Sequence, residues 1–132
     1  MLKLSESQKQ QLRELGVRLV YLFGSHAEGM EMPHSDVDIG IVLQRMPRED
    51  TIGTTYQVLY DLFTDAVPGK KVDIVFLQKA GLELCFDVVN HGRLAFESRP
   101  GDHLDFEEHI TIMYADFRPL LNEMNQGLLQ RI

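Results

Sequence analysis

The chain has 132 residues, of which 44% are hydrophobic, so it can form one hydrophobic core, and we expect a single domain over residues 1–132. Its net charge of −7 and pI near 5.1 provide no basic surface for a phosphate backbone, which argues against direct nucleic-acid binding. Cys85 is the only cysteine, so an intramolecular disulfide is excluded, and no apolar run approaches the roughly 20 residues of a membrane span. We therefore expect a soluble, cytoplasmic protein that does not bind membranes.

The beginning of the chain shows a helix signal followed by a strand signal. Ser5 and Gln8 form a capping-box pattern, and Gly16 ends the apolar face that follows, which predicts a short helix. The β-rich apolar run Val17–Phe23 predicts a strand. A polar stretch that contains glycine and proline, residues 28–35, predicts a loop after this strand.

Residues 36–43 alternate in a way that predicts a strand with one unusual face. The first face carries Val37, Ile39, Ile41 and Leu43, and the second carries Asp36, Asp38, Gly40 and Val42. Two carboxylates therefore share one face of an otherwise apolar strand.

The next two elements are a helix and a third strand. Residues 51–67 carry apolar side chains at helical spacing, and Pro68 closes this predicted helix. Residues 72–77 predict a strand that is apolar except for Asp73.

The last third of the chain predicts a helix, a short strand and one long helix. The helix covers residues 81–90 and the strand Arg93–Glu97. Apolar residues at steps of three and four predict an amphipathic helix over residues 103–131, which Pro119 should bend or break. Strands that alternate with helices indicate a layered α/β domain.

Five residues combine into a candidate site: Gly24, Ser25, Asp36, Asp38 and Asp73. Carboxylates two apart on a strand project side by side, and a third from a neighbouring strand can complete an oxygen cage. Because crowded carboxylates repel one another, a divalent cation is the simplest resolution, and Mg²⁺ suits a site with few carboxylates and substrate phosphates. We favour one site over the alternative, an unrelated turn beside solvated edge acids, because these features occur together.

The Gly24–Ser25 pair has a role in the same site. Glycine lets a phosphate approach the backbone, while the Ser25 hydroxyl and the following N–H groups can donate hydrogen bonds to it. This turn would hold the departing pyrophosphate of a nucleoside triphosphate.

Gly24–Ser25, ten further residues, Asp36-Val37-Asp38, and Asp73 in the later sequence VDIV resemble the signature of the polymerase β-like nucleotidyltransferases. In size the chain resembles the minimal members of that family, the MNT proteins. The resemblance implies a mixed sheet of about four strands, flanking helices and a long C-terminal helix.

The resemblance also implies a role for each matched residue. Asp36 and Asp38 would bind two Mg²⁺ ions, and Asp73 would join one of them and help to deprotonate the acceptor. Ser35 is placed with Gly24 and Ser25 in the nucleotide-binding set, with ATP as the substrate.

Many relatives carry arginines in the loop where this chain has His26 and Glu28. The resemblance therefore predicts a weaker electrostatic hold on the triphosphate here.

Minimal nucleotidyltransferases are typically paired with small helical HEPN proteins, often RNases, in toxin–antitoxin modules. The resemblance thus predicts an antitoxin that transfers AMP from ATP to a tyrosine or other hydroxyl of a HEPN toxin. Two alternatives remain at this point: an inactive antitoxin that acts by occlusion, and an enzyme that modifies a small hydroxylated molecule such as an aminoglycoside.

Overall fold

The computed structural model describes residues 2–24 and 36–130. This part of the chain contains four α-helices and four strands. In order they are α1 (Glu6–Glu14), β1 (Val17–Phe23), β2 (Val37–Leu43), α2 (Glu49–Ala66), β3 (Val72–Phe76), α3 (Leu82–His91), β4 (Arg93–Glu97) and α4 (Asp102–Gln130). The predicted α/β architecture is confirmed.

Element boundaries follow the sequence pattern with small differences. The capping box at Ser5 forms as predicted, with its hydroxyl accepting from the Gln8 N–H. The predicted bounds of β1 and β4 are confirmed, whereas α2 begins at Glu49, two residues earlier than predicted. Strand β3 ends one residue early because Leu77–Lys79 turns into a 3-10 helix.

Helix α4 is 29 residues long and continues through Pro119. Of the two predicted outcomes, a bend or a break, the break does not occur, and the bend stays a prediction. Proline removes one backbone donor and crowds the carbonyl four residues earlier, but Ala115 is exposed, so its carbonyl can turn towards water. Within the described residues no helix, α4 included, combines the length and apolarity needed to cross a bilayer.

The sheet is mixed, as the resemblance implied. Its strand order is β3-β2-β1-β4, with β2 and β3 parallel and the other two pairs antiparallel. A parallel pair cannot be joined by a tight turn, and α2 provides the crossover between β2 and β3. Both of these strands therefore begin at the same end of the sheet.

Helices cover both faces of the sheet, and each face has its own core. On the first face α1 and α2 pack on the sheet through Leu12, Leu59 and Phe63, which meet Val20, Leu22, Val37, Ile39, Ile41, Val72 and Ile74. On the second face α3 and α4 pack through Cys85, Val88, Phe106 and Ile110, which meet Leu19, Tyr21, Val42 and Leu77. The side-chain alternation predicted for β2 matches this division.

Candidate active site

Asp38 and Asp73 are neighbours on the two parallel strands. They are register partners in the β2–β3 pairing, one step after Val37 and Val72. The valines are buried in the first core, so both aspartates lie on the opposite face, the one that carries α3 and α4. The sheet therefore brings these two predicted site residues together.

Asp36 lies at the same end of the sheet, just before β2. The Val37 N–H donates to the Lys71 carbonyl at 2.8 Å, a bond of the Val37–Val72 pairing, and Asp36 and Lys71 are the residues immediately before that pair. By alternation both residues belong to the face of Asp38 and Asp73. Lys71 is not one of the predicted site residues, and its spacing of two from Asp73 in KVD is the sequence feature that relates the two.

Gly24 lies directly against the Asp38 carboxylate. Phe23, the last residue of β1, is the register partner of Asp38, and the chain turns at Gly24 with φ of 75°. A Cβ at Gly24 would overlap Oδ2 of Asp38 and lie 3.3 Å from its Cγ. Gly24 is needed both for the turn and for the close approach of Asp38. The sequence predicted that this glycine makes room for a phosphate, whereas in the structure the group that lies against it is the Asp38 carboxylate.

The acids differ in exposure: Asp38 is half-buried, whereas Asp36 and Asp73 are exposed. They are therefore open to a substrate at this end of the sheet. As they stand, no three or more His, Cys, Asp or Glu side chains in residues 2–24 and 36–130 are placed to hold a metal ion. The metal role of the three aspartates stays a prediction.

The remaining predicted site residues fall outside the described residues. Ser25 and Ser35 were assigned to nucleotide binding, and His26 and Glu28 to the loop between β1 and β2. Their roles also stay predictions.

Farther along β2, the face of the sheet that carries the aspartates is covered by apolar side chains. Gly40 follows Asp38 on this face, and a Cβ there would lie 3.1 Å from the Leu77 side chain, which covers the strand. Cys85 packs beside Leu77 and its Sγ lies 3.2 Å from the Leu77 carbonyl oxygen. Burial raises the pKa of the Cys85 thiol, so this cysteine is a packing residue and not a nucleophile.

A polar network occupies the opposite end of β1, where α4 begins. His103 Nδ1 lies 2.6 Å from Oε2 of Glu97, which also accepts from the His103 backbone N–H. The hydrogen bond to Glu97 raises the pKa of His103, and the same bond lowers the pKa of Glu97. Arg18 pairs with Asp102 at 2.9 Å beside them. This network ties α4 to β1 and β4.

Tyr21 joins α4 to the sheet from the middle of β1. Its hydroxyl donates to Glu107 at 3.2 Å, and its ring packs against Phe106 with centroids 6.1 Å apart. Burial first, and then the Glu107 carboxylate, raise the pKa of Tyr21 well above its ordinary value. Tyr21 is therefore a neutral donor that helps to hold α4.

These features define a class of protein. Two in-register aspartates at the start of parallel strands, a third acid before one of them and a glycine turn against the middle carboxylate form a candidate site for phosphoryl-group transfer on an α/β sheet. Residues 6–100 match the family described as Polymerase beta, Nucleotidyltransferase. The chain belongs to this nucleotidyltransferase family.

A curated relative and two solved structures resemble the chain over much of its length. The protein adenylyltransferase MntA of Shewanella oneidensis is 28% identical over 88 residues, which cover 67% of this chain and 60% of that protein. A chain in the crystal structure of a toxin–antitoxin complex with AMP-PNP superposes with a TM-score of 0.70 at 25% identity, covering 96% of this chain and 99% of the other.

The second structure is a complex of a tri-AMPylated Shewanella oneidensis HEPN toxin with its MNT antitoxin. A chain of that complex superposes with a TM-score of 0.63 at 21% identity, over 94% of this chain and 98% of its own length. It supports the fold assignment.

Proposed function

We propose that this chain is an antitoxin that transfers AMP from ATP to a hydroxyl group, that of a tyrosine, on a HEPN RNase toxin and thereby silences the toxin. The observation that carries the proposal is the pairing of Asp38 with Asp73 beside Gly24. Membership of the nucleotidyltransferase family and similarity to a protein adenylyltransferase support the same reaction.

The chemistry of AMP transfer fits this arrangement. The acceptor oxygen attacks the α-phosphorus of ATP, an O–P bond forms, and the bond to the β-phosphate breaks as pyrophosphate leaves with the electron pair. The acceptor loses its proton, and we assign the uptake of that proton to the Asp73 carboxylate. Gly24 leaves room for the phosphates at the end of β1.

Asp36, Asp38 and Asp73 are the residues that would hold Mg²⁺. The donor set fits, because magnesium prefers carboxylate oxygens together with water and substrate phosphates. Bound there, magnesium supplies charge stabilisation for the attacking and leaving oxygens. We expect a chelator to abolish AMP transfer and added Mg²⁺ to restore it.

The HEPN class of the partner comes from the resemblance to minimal nucleotidyltransferases. The structural neighbour that is 25% identical to this chain also comes from a toxin–antitoxin complex, which was crystallised with AMP-PNP. The acidic net charge of −7 suits a basic protein surface, which RNases commonly provide for their substrate.

The proposal is tested by measuring whether the toxin stays inactive as an RNase after it has been separated from this chain. The HEPN partner is incubated with this chain, ATP and Mg²⁺, separated from it under mild denaturation, refolded and assayed for RNase activity. We expect the treated toxin to stay inactive, and toxin treated with the Asp36→Asn/Asp38→Asn variant to regain activity. Recovery of activity in both samples would refute covalent silencing.

Occlusion is the alternative that this experiment separates. A purely occluding antitoxin would inhibit the toxin equally well with and without its aspartates, and inhibition would end on separation. A small-molecule acceptor is tested by supplying labelled ATP and a panel of hydroxylated compounds without the toxin.

A further inference from the structure

The end of the sheet that carries the acids also carries an exposed lysine with no assigned role. Lys71 immediately precedes β3 and lies two residues before Asp73 on the same face. Its backbone is held in the sheet by the bond from the Val37 N–H to the Lys71 carbonyl, 2.8 Å long. Its position is therefore fixed by the parallel β2–β3 ladder and not by a surface loop.

Lys71 is not used by any ion pair of the described residues. Lys9, Arg18, His91 and His103 each form a salt bridge with a nearby carboxylate, and none of these salt bridges includes Lys71. A cation that faces a group of aspartates and forms no salt bridge with them is available to an incoming anionic group.

The sheet order places Lys71 and Gly24 on opposite sides of Asp38. Asp38 on β2 stands between Gly24 at the end of β1 and Asp73 with Lys71 at the start of β3. In an in-line displacement the attacking oxygen and the leaving group occupy opposite sides of the phosphorus. Because the proposed reaction places the phosphates beside Gly24, the acceptor hydroxyl arrives on the side of Asp73 and Lys71.

We infer that Lys71 is an acceptor-side residue of AMP transfer, whose ammonium group contacts the attacking oxygen and stabilises the negative charge that develops on it. This inference rests on the function proposed above. The acceptor proton goes to Asp73, and the O–P bond forms as pyrophosphate leaves. A fixed positive charge at this point acts in the transition state and not in the binding of ATP.

The test compares Lys71→Gln with Lys79→Gln. Lys79 is an exposed lysine just after the other end of β3, so its replacement removes the same charge away from the acids. Single-turnover AMP transfer to the toxin and binding of AMP-PNP are measured for both, with Lys71→Arg as the charge-preserving variant. Thermal unfolding checks that all variants are folded.

We expect Lys71→Gln to lower the transfer rate about tenfold and Lys71→Arg to restore most of it. AMP-PNP affinity should stay within about twofold of wild type in every variant, because Lys71 is assigned to the acceptor side. Equal transfer rates for Lys71→Gln and Lys79→Gln, or a loss of AMP-PNP affinity in Lys71→Gln alone, would overturn the inference. Absence of transfer by the wild type would refute the proposed function itself.

Discussion

Gly24 meets two requirements that no other residue type meets together. Its φ of 75° lies in the left-handed region, which residues with a Cβ avoid. The Asp38 carboxylate also occupies the place where a Cβ of residue 24 would lie. Gly16 has nearly the same φ, 77°, but has no atom within 4 Å of the corresponding position. A side chain at Gly16 would therefore strain the backbone only, whereas a side chain at Gly24 would also collide with Asp38.

Replacing Gly24 by alanine should damage both stability and activity, whereas Gly16→Ala should affect stability alone. Each substitution forces a Cβ into the left-handed region, at a cost of about 1–2 kcal/mol in the free energy of unfolding. Only Gly24→Ala also displaces Asp38, so we expect a further fall of at least about tenfold in AMP transfer. Urea unfolding and a transfer assay measure the two effects. Equal transfer by the two variants would show that the contact with Asp38 is not needed.

His103 should stabilise the fold in a restricted pH range. Its raised pKa means that its contribution is complete below about pH 6.5 and is lost as the pH rises through the folded-state pKa. The lowered pKa of Glu97 adds stability above about pH 4.5 that is lost in acid. Glu107 and Asp102, the other carboxylates near His103, raise its pKa further, while partial burial opposes the shift.

We therefore predict that His103→Gln lowers the unfolding free energy more at pH 5.5 than at pH 8.5. His109→Gln, an exposed substitution on the same helix, is the matched control for the loss of an imidazole. Urea titrations at both pH values measure the difference. A His103→Gln effect that is constant or grows with pH would contradict the assigned ion pair with Glu97.

At the scale of elements, the polar side chain of Gln78 holds the end of β2. Its amide accepts from the Leu43 N–H at 2.8 Å and donates to the Leu43 carbonyl at 2.5 Å. After β3 ends, the side chain of Gln78 in the 3-10 helix therefore makes the hydrogen bonds to Leu43 that a further residue of β3 would otherwise make. The sequence pattern predicts that β3 continues to Leu77, whereas the strand ends at Phe76. The hydrogen bonds of the Gln78 side chain to the backbone leave no pattern in the sequence from which this end could be predicted.

Gln78→Ala should lower the unfolding free energy by about 1–2 kcal/mol, since two hydrogen bonds to one backbone residue are lost. Gln57→Ala removes a matched side chain whose amide donates to Asp61 on the exposed surface of α2, and should change stability by less than about 0.5 kcal/mol. Thermal or urea unfolding provides both values. Equal effects would mean that the Leu43 contacts do not stabilise the end of the sheet.

The alternation of β2 was readable from the sequence because a strand repeats every two residues, and it assigned Asp38 to the correct face. The register that pairs Asp38 with Asp73 was not readable, since a parallel pairing depends on how the α2 crossover docks. The contact between Gly24 and Asp38 and the position of Lys71 both depend on pairings between strands. The continuity of α4 through Pro119 depends on solvent exposure.

Over the whole molecule, the two ends of the sheet have separate tasks. The acids and Gly24 occupy the end where β2 and β3 begin, while the network of His103, Glu97 and Asp102 fastens α4 at the start of β1. The proposed chemistry and the attachment of α4 thus use different side chains. Substitutions in the network should alter stability without altering the identity of the transferred group.

The most direct measurement of the central claim uses ATP labelled at either the α- or the γ-phosphate, with the purified HEPN partner as acceptor. We predict that only the α-label appears on the partner, that Asp38→Asn abolishes it, and that Asp65→Asn, an exposed substitution on α2, leaves it intact. Transfer of the γ-label, or equal α-labelling by wild type and Asp38→Asn, would contradict nucleotidyl transfer at the paired aspartates.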